Sequence, residues 1–371
     1  MKHQVLLLIV LLASGSSGQD KPRHVGWIEF FGYAGIDLKK VRAALPVHEK
    51  DEFRAEVFAE KVERLGEAVK LLTGHAPSDI TSICCDERGD WIIFIGLSGK
   101  AIRYNPRPGT TLRLPGKIVE LYERFIKVNL EGVQKGSFGE DHTQGYALSE
   151  YPPLRSIQLE MRAYALSNEA LLRDVLKSAA DDQQRTVAAE LLGYARQSKA
   201  QITALVDASR DSSGSVRNNV TRALIVLAKS RPKVAAQIPA EGFIELLLSG
   251  TWTDLNKASN LLDWITKSRS GKILAQLRRR EVLDRLIEIA RWRSHGAPAG
   301  YILGRIAGIN ENRLEQLIKT EKVEDIIREL EAKGLRESSE LFTRPGRTAS
   351  ISAGMRPGVF VNIPAIRNPH N

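Results

Sequence analysis

The chain has 371 residues, of which 43% are hydrophobic and 26% are charged, a composition that excludes disorder of the whole chain. A chain of this length can form two or three modest domains. The formal net charge of +10 is spread along the sequence among acidic residues, which favours a solvated basic surface over a dedicated anion groove. We therefore expect no nucleic-acid partner.

The first 18 residues have the pattern of a secretory signal peptide. Lys2 and His3 precede an apolar run over residues 5–12, and small residues fill positions 13–18. The apolar run is too short to cross a bilayer, which requires about 20 residues. We predict cleavage after Gly18, an extracytoplasmic location (periplasmic or secreted), and no transmembrane segment in the mature chain.

Residues 25–97 are predicted to form a small α+β module with the order β-α-α-β-β. Aromatic and β-branched residues indicate the strands, and apolar residues three and four positions apart indicate the helices. Asp37 is the expected N-cap of the first helix, and Gly74 is the expected C-cap of the second. The predicted elements are strands at 27–31, 80–86 and 91–95 and helices at 38–45 and 53–72.

This module resembles a POTRA domain. The resemblance rests on the opening Ile28-x-Phe30-x-Gly32, the Asp51-x-Phe53 entry to the second helix and the closing hairpin. It covers about a fifth of the chain, which has Lys50 where the family often has glycine. POTRA domains of outer-membrane assembly and secretion proteins bind partner chains by adding a strand to a sheet edge. The resemblance thus implies an envelope-assembly component, and a generic α+β domain is the alternative.

Cys84 and Cys85 are the only cysteines, and they are adjacent, which excludes a disulfide scaffold. Neighbouring side chains in a strand point to opposite faces, so we expect one buried and one exposed thiol. A vicinal disulfide is the alternative. No Cys-x-x-Cys pair or histidine cluster stands nearby, and we predict no metal site.

Residues 98–156 are predicted to form a linker that contains a helix at 117–133 and an irregular loop at 136–153. The loop contains Glu140, Asp141 and His142. Carboxylates beside a histidine can carry out acid–base chemistry, but no nucleophile accompanies them. We expect a structural loop between two domains, and we keep these three residues as weak alternative catalytic candidates.

Residues 157–336 contain only helical periodicity. Apolar blocks that contain Leu191, Leu224, Leu262 and Ile302 begin 33, 37 and 41 residues apart, at residues 191, 224, 261 and 302, and each block is followed by a second apolar helix. Repetition at such a period predicts stacked helical hairpins that share one core, because a single hairpin cannot bury its own apolar face. The three leucines are predicted to lie in this core, with an additional starting helix at 161–179 and closing helices at 312–335.

Close to half of the chain resembles HEAT repeats. In that family, polar loop residues cap the next helix, and the resemblance implies an α-solenoid that uses its surface for protein binding. Tetratricopeptide repeats are the alternative, but their even 34-residue period is absent. The residues that carry the resemblance are Asp181, Asp182, Arg185, Ala188, Ala189, Leu191 and Leu192 in one unit, and Asp207, Asp211, Val216, Arg217, Ala223 and Leu224 in the next.

Two features of the array are candidate partner-binding sites. Trp252 and Trp292 could be binding hot spots on a concave face, although tryptophans at helical spacing are more often core residues. Arg278, Arg279 and Arg280 could meet an acidic partner. Because the sequence has no phosphate-binding glycine loop and no Gly-x-Ser-x-Gly motif, we expect a scaffold for an unidentified protein partner, without catalysis or cofactor. An enzyme or enzyme subunit, a lyase or hydrolase with its site at the domain junction, is the alternative.

Residues 338–371 are rich in proline, glycine and serine and have no helical period. They carry Arg344, Arg347, Arg356 and Arg367. Such a segment cannot bury enough apolar surface to offset the entropy of ordering it, so we predict a disordered basic tail.

Overall fold

The computed structural model is mostly helical, with a small sheet in its N-terminal part. It describes residues 23–84, 86, 88–97, 102–137 and 139–336. The predicted signal peptide at 1–18 and the predicted tail at 338–371 lie outside the described residues. Within the described ranges, every helix is too short or too polar to cross a membrane.

The N-terminal module has the predicted element order. Its three strands form a sheet in the order β1-β3-β2, in which β1 runs parallel to β3 and β2 runs antiparallel to β3. The elements are β1 (Val25–Phe31), α1 (Leu38–Ala44), α2 (Ala55–Thr73), β2 (Asp79–Cys84) and β3 (Trp91–Gly96).

The ends of the two helices follow from local sequence. The Asp37 side chain accepts hydrogen bonds from the backbone N–H groups of residues 39 and 40 and so caps α1. Gly74 ends α2 in the left-handed conformation, with φ of 82°. The prediction that Leu72 lies on the apolar face of α2 is wrong. Leu72 is exposed, because the buried face of the helix ends at Val69.

The turn before α2 contains Lys50 with φ of 78°, a backbone conformation that favours glycine. The Lys50 N–H donates to the Val25 carbonyl at 2.7 Å, which ties this turn to the start of β1. The backbone at this turn is therefore left-handed although a lysine, and not a glycine, occupies it.

Cys84 ends β2 and is exposed and disulfide-bonded. Cys84 is therefore not a free thiol, which agrees with the alternative of a disulfide. The strand predicted at 80–86 is shorter than expected, because β2 ends at Cys84. Cys85 lies outside the described residues.

Both faces of the sheet are covered. Ile93 and Ile95 pack with α1 and α2 in one core, whereas Phe31, Ile92 and Phe94 belong to the core of the helical array. Because helices cover it on both sides, β3 is buried along its whole length.

The linker lies along the array instead of separating two domains. The Asn105 N–H donates to the Arg210 carbonyl at 2.7 Å, and the Leu114 N–H donates to the Gln184 side chain at 2.7 Å. The predicted irregular loop also contains a short hairpin. The sequence did not predict it, because a strand of two residues is too short to show an alternation of apolar and polar side chains. The elements are α3 (Gly116–Gln134), β4 (Glu140–Asp141) and β5 (Leu148–Ser149).

The helical array begins at Pro152, earlier than predicted, because Pro152 and Pro153 fit the first turn of a helix. The single starting helix predicted at 161–179 is wrong: Asn168 separates two helices there. The helices are α4 (Pro152–Ser167), α5 (Glu169–Ser178), α6 (Asp182–Leu192), α7 (Lys199–Ala208), α8 (Gly214–Ser230), α9 (Pro232–Ala235), α10 (Glu241–Leu246), α11 (Trp252–Thr266), α12 (Gly271–Leu277), α13 (Arg280–Ala290), α14 (Ala297–Ile306), α15 (Glu311–Lys319) and α16 (Val323–Ala332).

Helices α6, α8, α11, α14 and α16 pack side by side in chain order. Each second apolar helix packs against the block helix that follows it: α7 against α8, α10 against α11 and α13 against α14. Leu191, Leu224 and Leu262 are fully buried in the continuous core, which confirms their predicted role.

Candidate functional site

A group of charged side chains is enclosed where the N-terminal half meets the helical array. Helices α6, α8 and α11 contribute Glu190, Arg222 and Lys257, and the β4–β5 hairpin contributes Glu140. Lys257 is 4% exposed and Glu190 is 7% exposed, and the other two side chains are mostly buried. We call these four residues the junction cluster.

Glu140 is held by two partners. One carboxylate oxygen accepts a hydrogen bond from the Arg222 guanidinium, and the other lies 3.0 Å from Nε2 of His142. Burial raises the pKa of Glu140, but Arg222 and His142 outweigh burial, so the net effect lowers the pKa. Glu140 is therefore an anion next to an imidazole, a pair that can hold or move a proton.

Burial shifts the pKa values of Glu190 and Lys257 toward their neutral forms. Burial raises the pKa of Glu190, with Arg222 acting in the opposite direction from 3.7 Å. Burial, followed by the positive charge of Arg222, lowers the pKa of Lys257 to about 7. An amine that titrates near neutral pH can act as an acid, a base or a switchable cation.

His295 lies near enough to Lys257 for the lysine charge to act on it, and it is surrounded by aromatic rings. The His295 ring stands edge-on to Trp252 and Phe94, with ring centroids 5.5 and 6.1 Å from its own. Burial and the Lys257 charge lower the pKa of His295 to about 4, so the imidazole is neutral at pH 7.

Several buried polar atoms around the cluster have no hydrogen-bond partner among the described residues. They are Nδ1 of His142, Oδ1 of Asn218, Nε1 of Trp252 and Nδ2 of Asn256. Such an atom costs about 1–3 kcal/mol, so proteins normally satisfy it with protein, water or ligand. The hairpin, α8 and α11 carry four of the nine such atoms among the described residues, which makes the junction a candidate binding site.

The predicted trio of Glu140, Asp141 and His142 is separated by the structure. Asp141 does not point into the cluster: its carboxylate accepts from N–H and Oγ1 of Thr143, at 2.8 and 2.7 Å. The Thr143 backbone hydrogen bond is the main reason that the pKa of Asp141 is lowered. Asp141 therefore stabilises the turn of the hairpin, whereas Glu140 and His142 face the cluster.

The two candidate tryptophans lie inside the molecule. Trp252 and Trp292 are 5% and 4% exposed, and both pack on Phe94 with ring centroids about 5 Å apart. Trp292 also donates its indole N–H to the Phe30 carbonyl at 2.9 Å. Both therefore lie in the core, as tryptophans at helical spacing more often do, and the alternative of binding hot spots on a concave face is wrong: the sheet packs on them.

The arginine run remains at the surface. Arg278, Arg279 and Arg280 are all exposed at the turn between α12 and α13. Arg279 lies 3.9 Å from Glu281, which leaves the run with a net positive charge.

Sequence reasoning did not identify Glu190, Arg222 or Lys257. The sequence feature that could have identified them is a charged residue inside a block of small and apolar residues, such as Glu190 before Leu191. Only the packing of three helices and a hairpin reveals that these charges meet. Among the described residues, no group of three or more His, Cys, Asp and Glu could hold a metal ion.

A comparison with known protein families finds no family model that matches the chain, and a comparison with curated proteins finds no match.

Proposed function

We propose that this protein is an extracytoplasmic protein-interaction scaffold, without catalysis, built on a HEAT-like α-solenoid. The observation that carries the proposal is a contact repeated between successive helices. Arg185 on α6 binds the Asp211 carboxylate through two hydrogen bonds of 2.8 Å. Arg217 on α8 binds the Asp254 carboxylate through one hydrogen bond of 2.9 Å from its Nε.

The repeated contact extends to the backbone. Arg185 donates to the carbonyls six and five residues before it, and Arg217 donates to the carbonyls six and five residues before itself. We call these two arginines with Asp211 and Asp254 the Arg–Asp ladder. The same backbone contacts in consecutive units support stacked repeats, and stacked repeats offer extended binding surfaces.

The partner is expected to contact the outer surface, because the protein's own N-terminal half covers one side of the array. Tyr104 of the linker donates to Asp254 at 2.7 Å, and its ring lies 3.8 Å from the Arg217 guanidinium. The exposed Arg278, Arg279 and Arg280 are then the best candidates for an acidic partner protein.

Affinity capture from envelope extract tests the scaffold. The full chain is compared with a variant in which Arg278, Arg279 and Arg280 are changed to Glu. A matched control reverses another exposed basic set, Lys229, Arg231 and Lys233. We expect a partner that is lost with the first variant and kept with the control. Equal capture by both variants would reject the arginine run as the contact.

The N-terminal module supports a related role in envelope assembly. The sheet order β1-β3-β2 leaves β2 as an edge strand, to which a partner chain could add. Replacing the edge residue Ser82 with proline would remove a backbone donor. Loss of partner capture in this variant, with the arginine variant still active, would assign the contact to the sheet edge.

A second candidate function is an enzyme at the domain junction. The 3.0 Å contact between Glu140 and His142, close to Lys257, favours it. A screen of the protein for hydrolase and lyase turnover tests this function. Turnover that disappears in His142→Ala, with folding and partner capture intact, would establish the enzyme and overturn the scaffold without catalysis.

A further inference from the structure

Helices α13 and α16 are joined by ion pairs at two points, which fix their relative direction. Near the start of α16, Glu324 accepts two hydrogen bonds from Arg291 at the end of α13, at 2.9 and 3.0 Å. Just past the end of α16, the mostly buried Arg336 guanidinium lies 3.3 Å from the Asp284 carboxylate. The order of the partners is reversed, so the chain follows α13 from its C-terminal end toward its N-terminal end.

This path brings the chain within one helical turn of the arginine run. Arg280 is the first residue of α13 and precedes Asp284 by four positions. The two side chains therefore share a face of the helix, about 6 Å apart along its axis. Arg278 and Arg279 stand next to Arg280 in the turn between α12 and α13, and all three are exposed. Residue 337 thus follows an anchor that lies beside the three arginines.

The four residues after this anchor carry two carboxylates. Residues 337–340 read Glu-Ser-Ser-Glu, and residues 341–371 contain no acidic residue. We call residues 337–340 the acidic segment. Four extended residues reach up to about 13 Å, which exceeds one helical turn. Because opposite charges attract, the arginine run favours contact with Glu337 and Glu340, whereas it repels the basic residues that follow them.

We propose that the acidic segment lies across the arginine run and that its two carboxylates pair with Arg280 and the neighbouring arginines. Exposed ion pairs are individually weak, but so short a connection keeps the carboxylates at a local concentration of about 1 mM or more. An acidic partner that binds residues 278–280 must displace the acidic segment. This regulatory consequence rests on the proposed partner contact, whereas the contact within the chain does not.

A zero-length cross-link in the full chain tests the internal contact. Arg280→Lys keeps the charge and supplies an amine, which a water-soluble carbodiimide couples to a carboxylate that it touches. We expect a cross-linked peptide that joins residue 280 to Glu337 or Glu340 at low ionic strength, with a lower yield in about 0.5 M NaCl, where salt screens exposed charges. Absence of this peptide at low ionic strength would overturn the proposal.

Arg231→Lys is the matched control for the cross-link. Arg231 is exposed at the end of α8, and α11 and α14 separate α8 from α16. We expect no link between residue 231 and the acidic segment. Asp284→Asn in the Arg280→Lys background should lower the yield of the link to residue 280, because it removes the ion pair that anchors Arg336.

Reactivity of the native arginines gives a second measurement. In a variant with Glu337→Gln and Glu340→Gln, phenylglyoxal should modify residues 278–280 about twofold faster than in the wild type, since exposed ion pairs of ordinary strength shift an equilibrium by about this factor. Peptide mass spectrometry measures the rate. Glu63→Gln with Glu67→Gln removes two exposed acids from α2 and should leave the rate unchanged. Equal rates in the wild type and the first variant would contradict the proposal.

Partner capture separates this proposal from the scaffold. An acidic partner of the arginine run should be captured about twofold better by the variant with Glu337→Gln and Glu340→Gln, because nothing has to be displaced. Unchanged capture together with an intact cross-link would support the internal contact and reject the partner contact. Capture that depends on residues 278–280 without a cross-link would reject the internal contact alone.

Discussion

Two buried polar networks occupy the same helices, α6, α8 and α11, but they differ in how well their groups are satisfied. In the Arg–Asp ladder, Arg217 has a carboxylate and two backbone carbonyls, and Asp254 accepts from Arg217, Tyr104 and Ser249. In the junction cluster, Lys257 loses charge through burial, and neighbouring amide and indole atoms have no described partner.

The difference indicates different purposes. A buried network in which every polar group has a hydrogen-bond partner fixes the geometry of the helices that it joins. A buried network that leaves polar groups without partners lowers the stability of the fold. Asp254 and Lys257 are three residues apart on α11, so a single helix contributes to both networks. We infer that the ladder sets the spacing of successive helices.

Asp254→Ala should have the largest effect on stability. It leaves the Arg217 guanidinium buried without a carboxylate, which costs about 3–5 kcal/mol. Urea unfolding measures the loss of free energy of unfolding. Glu160→Ala is the control, because Glu160 pairs with Arg124 at the surface and its loss should cost less than about 1 kcal/mol. Similar effects of the two variants would show that the ladder is not a structural network.

Truncation of the core leucines should have the next largest effect. Leu191→Ala, Leu224→Ala and Leu262→Ala should each lower the free energy of unfolding by about 2–5 kcal/mol, since each side chain is fully buried. Leu71→Ala is the control, because Leu71 is 87% exposed, and it should change stability by less than about 0.5 kcal/mol. Unchanged thermal stability in all three core variants would contradict a shared core.

Lys257 should make the free energy of unfolding depend on pH. Its pKa is lowered from 10.5 in the unfolded chain to about 7 in the folded protein, so the unfolded chain binds more protons between these values. The free energy of unfolding should therefore rise with pH from about 7 to about 10, by at most about 1.4 kcal/mol per pH unit from this group.

Urea unfolding at pH 7, 8 and 9 measures the slope in the wild type and in Lys257→Met. The difference between the two proteins isolates the lysine, since other groups titrate in both. Lys117→Met, at an exposed position, is the control and should keep the wild-type slope. Identical slopes for the wild type and Lys257→Met would show that the amine is not buried in a destabilising environment.

Cys84 lies outside both networks, and substitution of the two cysteines should have the smallest effect. A disulfide between adjacent residues closes almost no chain, so it removes little entropy from the unfolded state. Changing Cys84 and Cys85 to Ser should alter stability by about 0.5 kcal/mol or less, as measured by thermal unfolding. Collapse of the fold under mild reduction alone would contradict this expectation.

Local sequence determined the elements of this protein and most of their ends. Asp37 caps a helix because its short carboxylate reaches two backbone N–H groups, and Gly74 ends a helix because glycine adopts positive φ at little cost. The recurrence of Leu191, Leu224 and Leu262 predicted a shared core, because apolar blocks at a repeated interval must be buried against each other. These features depend on residues close in the chain or on a repeated pattern.

Only the tertiary structure shows which residues come together in the candidate site. Glu140 and His142 were identified in a loop, but their partners Arg222 and Lys257 are 80 or more residues away and carry no local motif. The sheet covers Trp252 and Trp292, and their sequence spacing favoured a core position without indicating what packs on them. The charge state of Lys257 also arises only after folding, because burial and the neighbouring Arg222 act on an amine that is an ordinary cation in the unfolded chain.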